Sequence, residues 1–455
     1  MRVHFIAIGG SAMHNLALAL HSKGFAISGS DDEIFEPSKT RLANVGLLPA
    51  AMGWFPEKLT ADIDAVILGM HARSDNPELI RAKEMGLKIF SYPEYLYEQT
   101  KDKRRAVIGG SHGKTTITSM VMHVMKHSQR PFDYMVGSQI EGFDTMVGLS
   151  HSAPVAVFEG DEYLTSPIDL RPKFHVYKAN IGLISGIAWD HVNVFPTFEG
   201  YVNQFRIFAE GIEKGGCLIY CEADKTLSDM VASANLKVES IGYSAHPHTR
   251  TTEGLMLETA YGHIPVRVFG LHNMQNIAGA KEVCLRLGVS EMDFYSAIST
   301  FGGAAKRLQL LGETKTTSFY LDFAHSPSKV NATVDAVREQ FPARHFLAVL
   351  ELHTFSSLNG EFLNQYKDTL NAADRAIVFF NPEAVKHKKL PELSESQVFE
   401  SFGRKDLEVF SDPRKLADTI FERTENNSVV LLMSSGDFGG INAPNMVKHW
   451  LGAHL

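Results

Sequence analysis

Seven consecutive residues constrain this chain more than any others: Gly110-Ser111-His112-Gly113-Lys114-Thr115-Thr116. They stand between an apolar strand pattern, Ala106–Ile108, and a helical stripe of Ile117, Met120, Val121, Val124 and Met125. A Gly-rich turn running from a strand into a helix presents backbone N–H groups and a helix N-terminus to an anion. In such a loop Lys114 reaches the outer phosphates of a nucleotide, and a threonine hydroxyl serves Mg²⁺. The spacing is tighter than in the usual phosphate loop, because Ile108 occupies the place of the first glycine. The loop requires a largely parallel α/β sheet around it.

The rest of the chain agrees with that requirement. Before the loop, strand patterns at Val3–Ile8, Phe25–Ser28, Ala65–Leu68 and Lys88–Ser91 alternate with helical stripes such as Met13, Leu16, Ala17 and Leu20. The charged run Lys101–Arg105 breaks this series. A second series continues from the loop through Val155–Phe158, Ile181–Ile184 and Cys217–Tyr220, and 240–270 reads as a small antiparallel insertion. A third begins near 306, with strands at Ser318–Leu321, His345–Leu350, Ala376–Phe380 and Val429–Met433. The chain has 455 residues, room for about three ordinary domains. Three α/β domains are expected, at 1–103, 104–304 and 305–455.

Charge narrows the function. Lys plus Arg number 44 against 52 Asp plus Glu, a formal net charge of −8, which disfavours a nucleic-acid partner that needs a basic footprint. Three cysteines give no disulfide framework; Cys217 and Cys221 share one face of a strand and read as small buried apolar side chains. Residues 3–22 lack Asp, Glu, Lys and Arg, but Gly9, Gly10, Ser11, His14 and Asn15 interrupt any signal-peptide core. No stretch reaches the roughly 20 apolar residues of a membrane span, so a cytoplasmic protein is expected.

Further motifs fall at strand ends. Gly9-Gly10-Ser11-Ala12 follows the first strand, and Asp31 closes the next, where a ribose-binding acid would stand. A tight packing turn is the alternative reading. Glu159-Gly160-Asp161-Glu162-Tyr163 follows Val155–Phe158, and its carboxylates suit a hard cation bridging phosphates, or else a solvated acidic turn. Asp190-His191 follows another strand and could add a ligand. Asn273 and Asn276 precede an Ala-rich helix as caps or as readers of a base edge, and spacing favours caps. Lys306-Arg307 marks the start of the third series, where a cation can reach phosphate across a cleft. Asp322 and His325 lie at the C-terminal edge of the third sheet, where α/β sites form.

Taken in order, the GSD turn at 29–31, Asp75-Asn76-Pro77, GSHGKTT, EGDEY, Asp190-His191, HNMQN at 272–276, KRL at 306–308 and DFAHSP at 322–327 resemble the Mur ligase family. These are the ATP-dependent amide-forming enzymes of peptidoglycan synthesis, and the resemblance covers essentially the whole chain. It implies a Rossmann-like N-terminal domain, a central ATP-binding domain and a Rossmann-like C-terminal domain for the amine substrate. The opening turn and DNPE resemble the branch acting on UDP-N-acetylmuramate. Within it, one member adds L-alanine and another a ready-made L-Ala-γ-D-Glu-meso-diaminopimelate peptide. Glu36–Thr40, Arg171–Phe174 and Ser435–Gly440 look more like the second. The chain departs from the family pattern at Gly186, Ala188, Gln309, Ser326 and His353.

The resemblance implies roles. Lys114 and two Mg²⁺ ions would neutralise a phosphoryl group moving from ATP to the muramyl carboxylate, one ion on Thr115 and Glu159, the other on Glu159 and His191. Arg307 and Asp322 would help hold ATP, with Asn273 and Asn276 near the adenine. Gly9, Gly10, Ser11, Ala12 and Asp31 would hold the uridine diphosphate. His325 would position the peptide or aid loss of its amine proton. Two rivals remain at this stage. A nicotinamide oxidoreductase would leave GSHGKTT unexplained, and a catalytically silent UDP-sugar or ATP sensor would suit the departures.

Overall fold

Short runs of Val, Ile, Leu and Ala that are apolar on both faces can be buried only in a sheet covered by helices on either side. The computed structural model, which describes residues 1–70, 72–189, 194–251, 254–304 and 307–454, places nearly all of them there. The chain divides into two compact units. One comprises Met1–Thr249, Met256–Pro265 and Gln275–Phe301; the other comprises Arg250–Leu255, Val266–Met274 and Gly302–Leu455.

The first unit is built on two main sheets, with the strands Leu164–Ser166 and Asp169–Pro172 pairing as a short antiparallel sheet of their own. The smaller main sheet is all parallel, in the order Ala26–Ser30, Arg2–Ile6, Ala65–Leu68, Ile89–Ser91. Its helix Pro77–Glu84 shows why an Asn-Pro pair starts a helix: Asn76 Oδ1 caps the N–H groups of Glu78 and Leu79, and Pro77 occupies the first turn. Glu78 is fully buried and spans the sheet, accepting from Phe55 N at 2.7 Å and meeting His4 Nε2 at 3.2 Å. Asp75-Asn76-Pro77 thus has a structural role.

The larger sheet runs Glu239–Tyr243, Cys217–Cys221, Ile181–Ile184, Arg104–Gly109, Val155–Glu159, Phe132–Met135, Val147–Gly148. Its neighbours are parallel except for the last pair. Arg104–Gly109 is central, and the chain leaves it first toward one edge and later toward the other. That makes its C-terminal end a topological switch point, where ligands of α/β sheets bind. Glu239–Tyr243 belongs to this parallel sheet. The insertion expected over 240–270 is therefore confined to the strands His248–Thr251, Gly254–Thr259 and Gly262–Val266, a small sheet of its own.

The charged run at 101–105 is more than a solvated linker. Lys103 pairs with the fully buried Asp133, and Arg105 is buried with its guanidinium on the carbonyls of Thr100, Lys101, Lys103, Tyr177 and Lys178. These cations tie the end of helix Tyr92–Thr100 to the larger sheet. Cys217 and Cys221 are buried free thiols, as their shared face predicts.

The second unit is built on a six-stranded sheet, in the order Gln309–Glu313, Ser318–Asp322, Ser428–Met433, His345–Leu352, Arg375–Phe380, Glu408–Phe410. It is parallel except for the first pair. Phe319, Leu347, Val349, Ile377, Val430 and Trp450 form its core. Among the described residues no helix is long and apolar enough to cross a membrane.

Candidate active site

The loop 110–116 lies at the end of the central strand, as its sequence requires. Gly110 and Gly113 adopt positive φ (124° and 74°), and Gly113 caps the helix Lys114–His127. A Cβ on Gly110 would strike Ser185 Oγ, and one on Gly113 would strike Asn276 Oδ1, so neighbouring backbone and side chains close tightly on the loop. Ser185 Oγ donates to the carbonyls of Gly109 and His112. The buried Ser111 hydroxyl accepts from Ala188 N at 2.9 Å and lies 2.8 Å from Tyr201 Oη. Thr115 and Thr116 are buried in the first turn of the helix.

The acidic motif stands on the adjacent strand, with Ile108 in register with Glu159. Its carboxylates take separate partners. Thr115 Oγ1 donates to Glu159 Oε1 at 2.9 Å, while Gly137 N donates to Oε2 at 2.8 Å. Lys114 Nζ lies 2.6 Å from Glu162 Oε2 and 2.6 Å from the carbonyl of Gly110, and Tyr201 Oη donates to Glu162 Oε1. Asp161 pairs with Lys173 at 2.6 Å.

Charge balance follows from this packing. Burial pushes Glu159 above the usual carboxylate range, against the pull of Gly137 N–H, Lys114 and Thr115. Burial also works against the charge on Lys114, but Glu162, Asp161 and Glu159 outweigh it and hold the ammonium more firmly than in water. Burial would likewise raise Asp161, yet Lys173 and Lys114 bring it down to about 2. A largely buried ammonium at the mouth of a helix N-terminus, facing a carboxylate, can stabilise a transferring phosphoryl group.

The donor set fits a hard divalent cation. Thr115 and Glu159 offer oxygens only, and Mg²⁺ in nucleotide sites takes one or two protein groups, with phosphates and water completing its octahedron. Among the described residues no group of three or more His, Cys, Asp or Glu is placed to hold a metal ion by itself. Asp190, His191 and Lys306 lie outside the described residues.

Backbone groups at 186 and 188 meet the loop. The Gly186 carbonyl accepts from Ser111 N at 2.9 Å, and Ala188 N binds Ser111 Oγ. Asp224, the cap of helix Lys225–Ser233, accepts from Ile187 N at 2.6 Å.

The turn at 9–12 is built around Asp31. Its carboxylate accepts from Gly9 N at 2.7 Å, so it braces the turn from behind. Burial and the neighbouring Asp32 raise it to about 6. Gly10 caps the helix Ser11–Ser22, whose first residues Ser11 and Ala12 are exposed.

In the second unit Asp322 is buried and bound by the N–H groups of Leu308 and Ala324, each at 2.7 Å. Arg307 lies over the Phe323 ring at 4.8 Å, and His325 Nδ1 is 2.8 Å from the Phe323 carbonyl. Asn273 and Asn276 lie inside the helix Leu271–Arg286 rather than before it, so neither is the cap that their spacing suggests; Asn273 Nδ2 donates to the carbonyl of Phe269, which precedes the helix. Ser326 caps the helix Pro327–Gln340 by position, without a side-chain bond. His353 faces the buried Glu351 at 3.7 Å, and Glu351 accepts from Phe438 N at 2.8 Å and from Ser434 Oγ, which anchors the loop 434–438.

Sequence reasoning did not single out Tyr201 or Ser185, and it marked Lys173 only within Arg171–Phe174, not as the partner of Asp161. Tyr201 sits on the apolar stripe of helix Phe198–Glu210 and reads as core, and only its hydroxyl reveals its place between Ser111 and Glu162.

A phosphate loop at the switch point of a parallel sheet, facing carboxylates on the next strand, defines the class: a multidomain α/β enzyme of nucleotide chemistry. Comparison with known proteins makes this specific. Three family models match in succession: Mur ligase family, catalytic domain, at 2–104; Mur ligase middle domain at 108–284; and Mur ligase, glutamate ligase domain, at 306–436. The chain is 30% identical to a UDP-N-acetylmuramate–L-alanine ligase of Caldicellulosiruptor bescii, over 82% of each chain. It is 27% identical to the ligase of that name from Aquifex aeolicus, over 96% of this chain and 95% of that one. Among solved structures, a UDP-N-acetylmuramate–alanine ligase of Thermotoga maritima superposes with a TM-score of 0.73 at 21% identity, covering 100% of both chains. A murein peptide ligase of Psychrobacter arcticus gives 0.67 at 21% identity, over 99% of this chain and 98% of that one. The chain belongs to the Mur ligase family, whose members are ATP-dependent amide-bond-forming ligases.

Proposed function

We propose that this ligase joins the lactyl carboxylate of UDP-N-acetylmuramate to the amine of L-Ala-γ-D-Glu-meso-diaminopimelate, a peptidoglycan-recycling reaction. The observation that carries a phosphoryl-transfer step is the Lys114–Glu162 and Thr115–Glu159 pairing beneath one helix N-terminus. A carboxylate is a poor acyl donor, so ATP first phosphorylates it; Lys114 leaves Glu162 to meet the moving phosphoryl group. The incoming amine then attacks the acyl phosphate, and phosphate departs. Two Mg²⁺ ions, one on Thr115 and Glu159 and the other on Glu159 and His191, would supply charge neutralisation for the phosphates. Gly9, Gly10, Ser11 and Ala12 hold the uridine diphosphate, with Asp31 bracing them. Arg307, Asp322, Asn273 and Asn276 serve ATP, and His325 serves the amine substrate.

The peptide reading rests on Glu36–Thr40, Arg171–Phe174 and Ser435–Gly440. L-alanine as the amine is the second reading, favoured by the names of relatives at 27–30% identity. Phosphate release from ATP with UDP-N-acetylmuramate, adding either amine, separates them. Release that needs the tripeptide supports the proposal, and release with alanine alone favours the second reading. Silence with both, from folded protein that binds ATP, would mean a sensor.

A further inference from the structure

Arg41, on the short helix Ser38–Asn44, is half-buried in the first unit, yet its guanidinium meets only neutral groups. Nη2 donates to Gln139 Oε1 at 3.0 Å and Nη1 to Asn15 Oδ1 at 3.5 Å, and among the described residues it makes no ion pair. The adjacent His14 supplies no negative charge; burial lowers its affinity for a proton, and Arg41 lowers it further. A partly desolvated guanidinium whose planar fork meets no carboxylate is matched to an oxyanion that is not part of the chain.

Its position says which oxyanion. Asn15 Nδ2 donates to the carbonyl of Ser11 at 2.8 Å, so Arg41 lies one turn from the start of the helix that follows Gly9-Gly10. On its other side Gln139 is two residues beyond Gly137, whose N–H binds Glu159. Asn15 Oδ1 also accepts from Met146 N at 2.9 Å, which closes this junction between the two sheets of the unit. Arg41 therefore stands between the turn at 9–12 and the carboxylate that faces Thr115.

We propose that Arg41 holds an oxyanion of the sugar nucleotide, its diphosphate or its lactyl carboxylate, on the way from the Gly9–Ala12 turn to Glu159. This rests on UDP-N-acetylmuramate being the substrate. Arg41 would then set the reach of the substrate, placing the carboxylate for phosphorylation.

The test compares wild type, Arg41→Gln and Arg41→Lys for calorimetric binding of UDP, UDP-N-acetylglucosamine and UDP-N-acetylmuramate, with ATP binding as the control. Arg41→Gln keeps an amide donor for Gln139 and Asn15 but removes the charge. It should weaken UDP-N-acetylmuramate roughly ten- to a hundredfold, raise KM more than it lowers kcat, and leave ATP binding unchanged. Arg41→Lys should recover part of the loss. Equal weakening of all three ligands assigns the diphosphate; weakening of the muramate alone assigns the carboxylate. Should Arg41→Gln fold poorly, Gln139→Glu gives the guanidinium an internal anion and should weaken the same ligands. Unchanged affinity for all three in folded variants overturns the inference while the substrate reading stands. A wild-type protein that binds none of the three overturns both.

Discussion

Thr115 Oγ1 and Glu159 Oε1 lie 2.9 Å apart, one at the first turn of the loop helix and the other at the end of the neighbouring strand. The carboxylate is buried and its second oxygen is already engaged by Gly137 N–H, so its charge is directed at the hydroxyl. Glu159→Gln can still accept from Gly137 N–H through its amide oxygen and turn its NH2 donor to the Thr115 hydroxyl, but it removes the charge that a cation needs. Turnover should fall by about 10²–10³-fold, with a higher Mg²⁺ requirement, while the melting temperature holds or rises because a buried charge has been removed. Phosphate release titrated with Mg²⁺ checks this, and near-wild-type turnover would refute the assignment.

The Lys114–Glu162 pair should show strong coupling. Glu162 is 1% exposed, so Lys114→Ala removes the ammonium that balances a buried carboxylate and costs about 3–5 kcal/mol as well as activity. Adding Glu162→Gln removes that charge. The double variant should recover most of the stability but none of the turnover. Urea denaturation of the two single variants and the double variant measures the coupling, and additive losses would show that the pair contributes little.

Much of this was legible in the sequence because the loop, the strand before it and the acidic motif after the next strand are local patterns with one physical solution. The parallel strands rich in β-branched residues were legible for the same reason. The short strand Phe132–Met135 and the edge strand Val147–Gly148 beside it were not, since two to four residues carry no periodicity. Glu239–Tyr243 looked like part of an insertion because an edge strand is half polar. Nothing local reveals that Asp31, read as a sugar-nucleotide ligand, also accepts from Gly9 N through one carboxylate oxygen. The partners of Asp161 and Ser111, Lys173 and Tyr201, lie 12 and 90 residues away, and only the fold brings them together.

Gly113 should tolerate no side chain. Gly113→Ala faces a positive φ of 74° and a collision with Asn276 Oδ1, and the backbone strain alone is about 1–2 kcal/mol. Nucleotide affinity should drop with it. Adding Asn276→Ala relieves the collision but leaves the strain, so thermal melting should recover in part, while ATP binding should not recover because Asn276 itself serves ATP.

Two buried carboxylates of the smaller sheet should give opposite pH signatures. Burial and Asp32 raise Asp31 from the ordinary 3.8 to about 6, so as pH falls the folded chain takes up this proton before the unfolded chain does. Folding is therefore favoured progressively as pH drops from about 6 toward about 4. Glu78 behaves in the reverse sense. Burial acts to raise it, but the bonds from His4, Ser30 and Phe55 N–H prevail and hold it below the ordinary 4.5. Its contribution is complete above that value and is lost as pH falls through the folded pKa. Asp31→Asn should accordingly flatten the stability gain between pH 6 and 4, and Glu78→Gln should flatten the loss below pH 4.5. Urea unfolding of both variants across pH 3–7 distinguishes the two signs. Identical pH profiles for the variants and the wild type would show that neither carboxylate changes its proton affinity on folding.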